Sequence, residues 1–154
     1  MSSQVVFDDI EVRKMIEGLI TRAGQVRKKD QAIIGILSSI VYRDIMQHFD
    51  QQLGEDDPWP QWSPRYRAFM EKIGKGGNRI LQDSGRLRQS FQPTNVRPTE
   101  AGLLWFNNAK TAKGFPYAAA HDEGGRRLPQ RQFMWLSREA LDDIEEQIIK
   151  FIES

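Results

Sequence analysis

Residues 55–64 read Glu-Asp-Asp-Pro-Trp-Pro-Gln-Trp-Ser-Pro. Pro58, Pro60 and Pro64 fall within seven residues. Each fixes its own φ, removes a backbone donor and pushes the residue before it out of the helical region. No regular helix crosses this run, so the chain is divided into a part before it and a part after it. Trp59 and Trp62 are costly to leave in water and are expected to pack on something. Ser63 followed by Pro64 is a favourable N-cap and first-position pair. A short helix over 64–73 is therefore predicted, closed by the flexible Gly74-Lys75-Gly76-Gly77 loop.

The part before the proline run is helical in pattern. Asp8 and Glu11 form a capping box. Val12, Met15, Ile16, Leu19, Ile20 and Ala23 follow at helical spacing, and Gly24 with Arg27, Lys28 and Lys29 ends the helix. Asp30 is the expected N-cap of a second helix. Its stripe is Ile34, Leu37, Val41, Ile45, Phe49 and Leu53, broadened by Ile33, Ile36 and Ile40. Arg43, Asp44, Gln47 and Asp50 occupy the opposite side, and Gly54 is a natural stop. The two helices are predicted to form an antiparallel hairpin.

After the proline run the pattern is mixed. Leu87, Gln89 and Phe91 alternate with Arg86, Arg88 and Ser90, and 102–107 is an apolar, aromatic strand candidate. A further segment begins at Phe115-Pro116-Tyr117 and ends at Gly124-Gly125, and 126–130 is short and extended. Ser137 caps a last helix in which Leu141, Ile144, Ile148, Phe151 and Ile152 face inward. Helices grouped apart from strands indicate an α+β fold, with an N-terminal helical hairpin and a C-terminal helix packed on a small antiparallel sheet. The 154 residues fit a single domain. Its parts are the hairpin (8–53), the Trp/Pro loop and short helix (54–78), a mainly stranded region (79–136) and the C-terminal helix (137–153).

Chemistry is sparsely represented. The absence of cysteine excludes disulfides and thiolate metal sites. His48 reads as a partly exposed helix residue. His121-Asp122-Glu123 is one histidine without a second at metal spacing. Glu55-Asp56-Asp57 reads as solvated carboxylates, and the 74–77 glycines lack the spacing of a phosphate loop. No catalytic set, metal site or cofactor is expected. With 22 basic and 21 acidic side chains, a global grip on nucleic acid is not predicted. Residues 1–9 lack the pattern of a secretory signal. The run 32–42 is too short and too interrupted, by Gly35, Ser38 and Ser39, to cross a bilayer.

Four segments stand in a telling order: Trp59-Pro60-Gln61-Trp62-Ser63-Pro64; Ile80-Leu81-Gln82-Asp83-Ser84-Gly85-Arg86-Leu87-Arg88-Gln89-Ser90; Tyr117-Ala118-Ala119-Ala120-His121-Asp122-Glu123-Gly124-Gly125; and Pro129-Gln130-Arg131-Gln132-Phe133-Met134-Trp135-Leu136-Ser137. Together they resemble the phage virion morphogenesis family, over roughly Trp59 to the last residue. The chain departs from the family pattern at Arg131-Gln132-Phe133, where Arg-Pro-Phe is usual, and at Met134-Trp135.

The resemblance implies a structural, non-enzymatic role in the virion, assembled in the host bacterial cytoplasm. It implies tail completion or head–tail joining by a ring, often a hexamer, that meets the tail tube or the connector and lets DNA pass through its lumen. Aromatic and arginine side chains favour interfaces, so Trp59, Trp62, Tyr117, His121, Arg126, Arg127, Arg131, Phe133 and Trp135 are the expected contacts, with Arg131, Phe133 and Trp135 foremost. Two other readings stand beside it. One is a DNA-binding module that holds phosphates through Arg126, Arg127 and Arg131. The other is a small metal-dependent hydrolase at His121.

Overall fold

A computed structural model describes residues 3–5, 28–99 and 102–154. The expected helix over 8–24, and with it the first arm of the hairpin, lies outside the described residues. The fold is α+β. Its elements in order are β1 (Ser3–Val5), α1 (Lys28–Gln51), α2 (Pro64–Lys72), α3 (Arg86–Ser90), β2 (Val96–Thr99), β3 (Gly102–Asn107), α4 (Tyr117–Glu123) and α5 (Arg138–Glu153). No helix among the described residues is long and apolar enough to cross a membrane.

The central helix α1 buries Ile33, Leu37, Ile40, Val41, Ile45 and Phe49, the i, i+3, i+4 stripe of a helix that faces a core. Asp30 lies within this helix and is not its cap, and the helix ends before Gly54. Gly54 is buried in the turn that follows: its N–H donates to Asp57 O at 2.9 Å, and a Cβ there would meet that same oxygen at 2.9 Å. Ile36, counted in the stripe from sequence, is 45% exposed.

Two polar residues join the buried stripe instead. Asp44, assigned to the solvent side, and His48, read as partly exposed, are both buried. The reason is α5. Ser137 starts that helix by accepting Ala140 N–H, and its own N–H and hydroxyl both donate to the Asp44 carboxylate, at 2.8 and 2.6 Å. His48 Nε2 donates to Trp135 O at 3.0 Å, and its ring stacks on Trp135 with centroids 3.8 Å apart. Helix periodicity alone assigns polar residues to water. Here an incoming helix end supplies the donors that make burial affordable.

The sheet order is β1-β3-β2, antiparallel throughout. The sequence predicted β3 but not β1, which pairs Val5 with Trp105 and Ser3 with Asn107. Trp105 is fully buried and donates its indole N–H to Ser38 on α1, which fastens the sheet to the central helix. The last helix buries Ala140, Ile144 and Ile148, while Ile152, expected to face inward, is 51% exposed.

The region 79–136 holds two strands and two short helices, not mainly strands. Gly85 takes φ +74 and launches α3, so the weak alternation over 86–91 is a single helical turn with Leu87 buried. Three consecutive alanines, the best helix formers, carry α4. Residues 126–130 form a turn closed by a Gly125–Leu128 bridge instead of an extended segment, and among the described residues the segment before α5 pairs with no strand.

Asp44 generates a pH prediction. Burial alone would raise its pKa, but hydrogen bonds from His48 and Ser137 and the His48 charge outweigh burial and hold it below the ordinary 3.8. A lowered folded pKa gives stability that is present above 3.8 and lost as pH falls through the folded value. Asp44→Asn should lower stability at neutral pH by about 1–3 kcal/mol. The gap between variant and wild type should close in acid when melting is followed by circular dichroism.

Candidate docking cleft

The segment 131–135 is the strap around which the site is built. Arg131 N–H donates to His121 O at 2.9 Å, which lays the strap against α4. The Asp122 carboxylate then accepts Phe133 N–H at 2.9 Å and Met134 N–H at 2.7 Å. On the other side the strap holds the proline run. Trp59 Nε1 donates to Gln132 O at 2.8 Å, Arg131 donates to Pro60 O and Gln61 O at 2.9 and 3.3 Å, and Trp135 Nε1 donates to Leu53 O at 3.4 Å. The rings of Trp59 and Phe133 close on Phe49 of α1, with centroids 5.4 and 5.2 Å away. A run that cannot satisfy itself with helical hydrogen bonds is satisfied by side chains from another segment.

Gly124 makes the strap's return feasible. It ends α4 at φ +70, and a Cβ there would lie 2.7 Å from Gln130 N. Only glycine fits both the conformation and the space.

This arrangement corrects the expected contact set. Trp59, Arg131 and Phe133 are 2%, 7% and 0% exposed, so they are internal struts of this chain and not interface anchors. Trp135 is half-buried against His48. Arg126 and Arg127 remain exposed, but Arg131, engaged with the two loop carbonyls, does not form a surface patch with them.

Beneath the strap opens a cleft of about 1000 Å³. Pro60, Gln61 and Trp62 line it from the proline run, and Leu81, Ser84, Arg86 and Leu87 from the turn into α3. Tyr117 and His121 come from α4, and Arg127, Leu128, Pro129 and Arg131 from the strap and its approach. Arg79 and Lys110 add positive charge, and Asp83 is the one acidic side chain among the lining residues.

Five of the expected contacts, Trp62, Tyr117, His121, Arg127 and Arg131, therefore line one cleft. Tyr66, Phe69, Arg79 and Lys110 were missed. Tyr66, Phe69, Met70 and Ile73 share one face of α2, the spacing of an ordinary core stripe. Met70 alone is buried; Tyr66, Phe69 and Ile73 are 45%, 53% and 47% exposed. Trp62, Tyr66 and Phe69 form a continuous aromatic row, with centroids 5.6 and 6.2 Å apart. The stripe is legible in sequence, but its being open to solvent is not.

The titratable groups here are perturbed by packing. Burial, then the nearby Arg131 charge, lowers the His121 pKa, which favours the neutral ring. Its Nδ1 is buried without a hydrogen-bond partner. Among the described residues no three His, Cys, Asp or Glu side chains come together as metal ligands. No family model, curated protein or solved structure matches the chain.

Burial raises the Asp122 pKa from 3.8 despite the opposing bonds from Met134 and Phe133, and the Glu123 charge adds to the rise. A raised folded pKa means that stability is full below 3.8 and is lost as pH climbs through the folded value. Asp122→Asn keeps an oxygen for both N–H groups and carries no charge to desolvate. It should melt no lower than wild type at neutral pH. Asp122→Ala, which strands two buried donors, should cost about 2–4 kcal/mol. Thermal melting of the pair separates acceptance of the two N–H groups from the carboxylate charge.

Proposed function

We propose that this chain is a structural, non-enzymatic protein of phage virion morphogenesis. It completes the tail or joins it to the head-side connector, and it acts as a ring-forming oligomer. The observation that carries this reading is convergence. The four segments that bear the family resemblance are separated by up to dozens of residues, yet each contributes side chains to the same cleft. Segments that served only the core would bury both sides. Two of them pack Trp59 and Phe133 against Phe49, and the four together border a recess rimmed by exposed aromatic and basic side chains.

Three polar side chains around the strap and α5 hold the fold. Asp122 holds the strap, Arg131 holds the proline run, and Asp44 holds the start of α5. Such bonds fix a surface in one shape, which is what an assembly part requires before it meets a partner.

Deleting the gene from a phage or prophage that carries it tests the reading. Electron microscopy of lysates should show complete heads and tails that fail to join, or tails of defective end structure, with normal particles restored by a plasmid copy. Normal, infectious particles without the gene would overturn it.

A further inference from the structure

The near-zero net charge conceals two opposed blocks. Residues 60–131 hold thirteen Lys and Arg against five Asp and Glu, whereas 132–154 hold six acidic residues against two basic. The first block builds the cleft and the second is mostly α5. At the cleft, Arg79 donates to Asp50 O and Arg131 to the proline run, so both are engaged. Arg86, Lys110 and Arg127 are exposed, and among the described residues no side-chain hydrogen bond or ion pair engages them.

The last turns of α5 carry the complement. Glu145, Ile149, Ile152 and Glu153 are spaced i, i+4, i+7 and i+8 and so share one strip. Ile149 and Ile152 are 38% and 51% exposed. Neither Glu145 nor Glu153 has an ion-pair partner among the described residues.

The two surfaces belong to different elements of the fold. The cleft walls are bonded to the end of α1, through Arg79 to Asp50 O and Gln82 to Phe49 O. Helix α5 starts beside Asp44, touches Arg43 through Asp143 and continues towards the Lys28 end. At 1.5 Å per residue, the α5 tip lies roughly 15 Å from Asp143 along its own axis, and Asp50 lies about 10 Å from Arg43 along α1. No cleft-lining residue belongs to α1 or α5, so within one chain the α5 strip does not line the cleft.

We propose that the last two turns of α5 of one copy seat in the cleft of the next copy. Glu145 and Glu153 meet the cations Arg86, Lys110 and Arg127, while Ile149 and Ile152 cover the aromatic lining. Because donor and acceptor surfaces differ, the contact is head-to-tail and generates a ring where the rotation closes. The proposal rests on the self-assembly reading above and identifies its contact. A single nucleic-acid strand would also favour cations beside aromatic rings, but the matching acidic and apolar strip in this chain favours a second copy.

Sedimentation equilibrium of the full chain tests it. Wild type should form an oligomer that weakens as salt rises. Arg86→Glu with Arg127→Glu, and separately Glu145→Lys with Glu153→Lys, should each raise the dissociation constant about ten-fold or more. In a mixture of the two variants each tail meets a charge-matched cleft on the other variant, so the mixture should regain a larger, alternating assembly. The chain carrying all four changes should regain the larger assembly. All these positions are at least partly exposed, and melting curves matched to wild type establish that folding is kept. An oligomer indifferent to every variant overturns this contact while leaving ring assembly standing. A wild type that stays monomeric at every concentration overturns the contact and the ring together, and the virion role is then judged separately by particle morphology. Loss of single-stranded DNA binding in the arginine variant, with assembly unchanged, overturns it by making nucleic acid the occupant.

Discussion

The carboxylate of Asp122, accepting two successive backbone N–H groups from Phe133 and Met134, is the joint on which the second half of the molecule depends. It fixes the strap 131–135 against α4. From that fixed position Gln132 O and the Arg131 guanidinium reach the proline run, the Trp135 indole reaches Leu53 O before it, and the Phe133 ring reaches Phe49. The proline run has no helical or strand ladder of its own over 60–63. Its carbonyls and its first tryptophan take their partners from the strap. A buried carboxylate is costly in water-free surroundings, and its raised pKa expresses that cost. Two short backbone bonds to one oxygen offset part of it and give the strap a single position.

A second buried carboxylate does the same for the first half. Asp44 receives Ser137 and sets where α5 begins, so the last helix lies along the central one. The two carboxylates hold the strap and its exit: Asp122 binds Phe133 and Met134 within it, and Asp44 binds Ser137 just beyond it. The chain from 131 to 137 is thus held along its length, and the cleft beneath has rigid walls.

Much of this was legible from residues alone. The proline run, the Ser63 and Ser137 caps, the α1 stripe and the β3 strand follow from local rules that packing did not override. The Asp44 and His48 burial did not, because helix periodicity assigns a side without knowing that another helix will arrive with donors. The short helices α3 and α4 were missed for a related reason. A five-residue turn after a left-handed glycine, and an alanine run read as part of a motif, leave almost no period to detect. Among the expected contacts, residue type was a poor guide to exposure. Trp59 and Phe133 are as aromatic as Trp62 and Tyr117, yet only the second pair lines the cleft. The charge blocks are visible in sequence once sought, but a balanced total hides them.

The recess brings Trp62 and Tyr66 together with Arg86, Lys110 and Arg127, which have no side-chain partner among the described residues, and the acidic end of α5 is the counterpart we propose for it. Electron cryomicroscopy of assembled particles tests this account most directly. It predicts density for this chain in a ring at the head–tail junction or tail end, with the helix end of each copy inside its neighbour's cleft. Particles that lack the chain, or a ring whose clefts stand open to solvent, would contradict it.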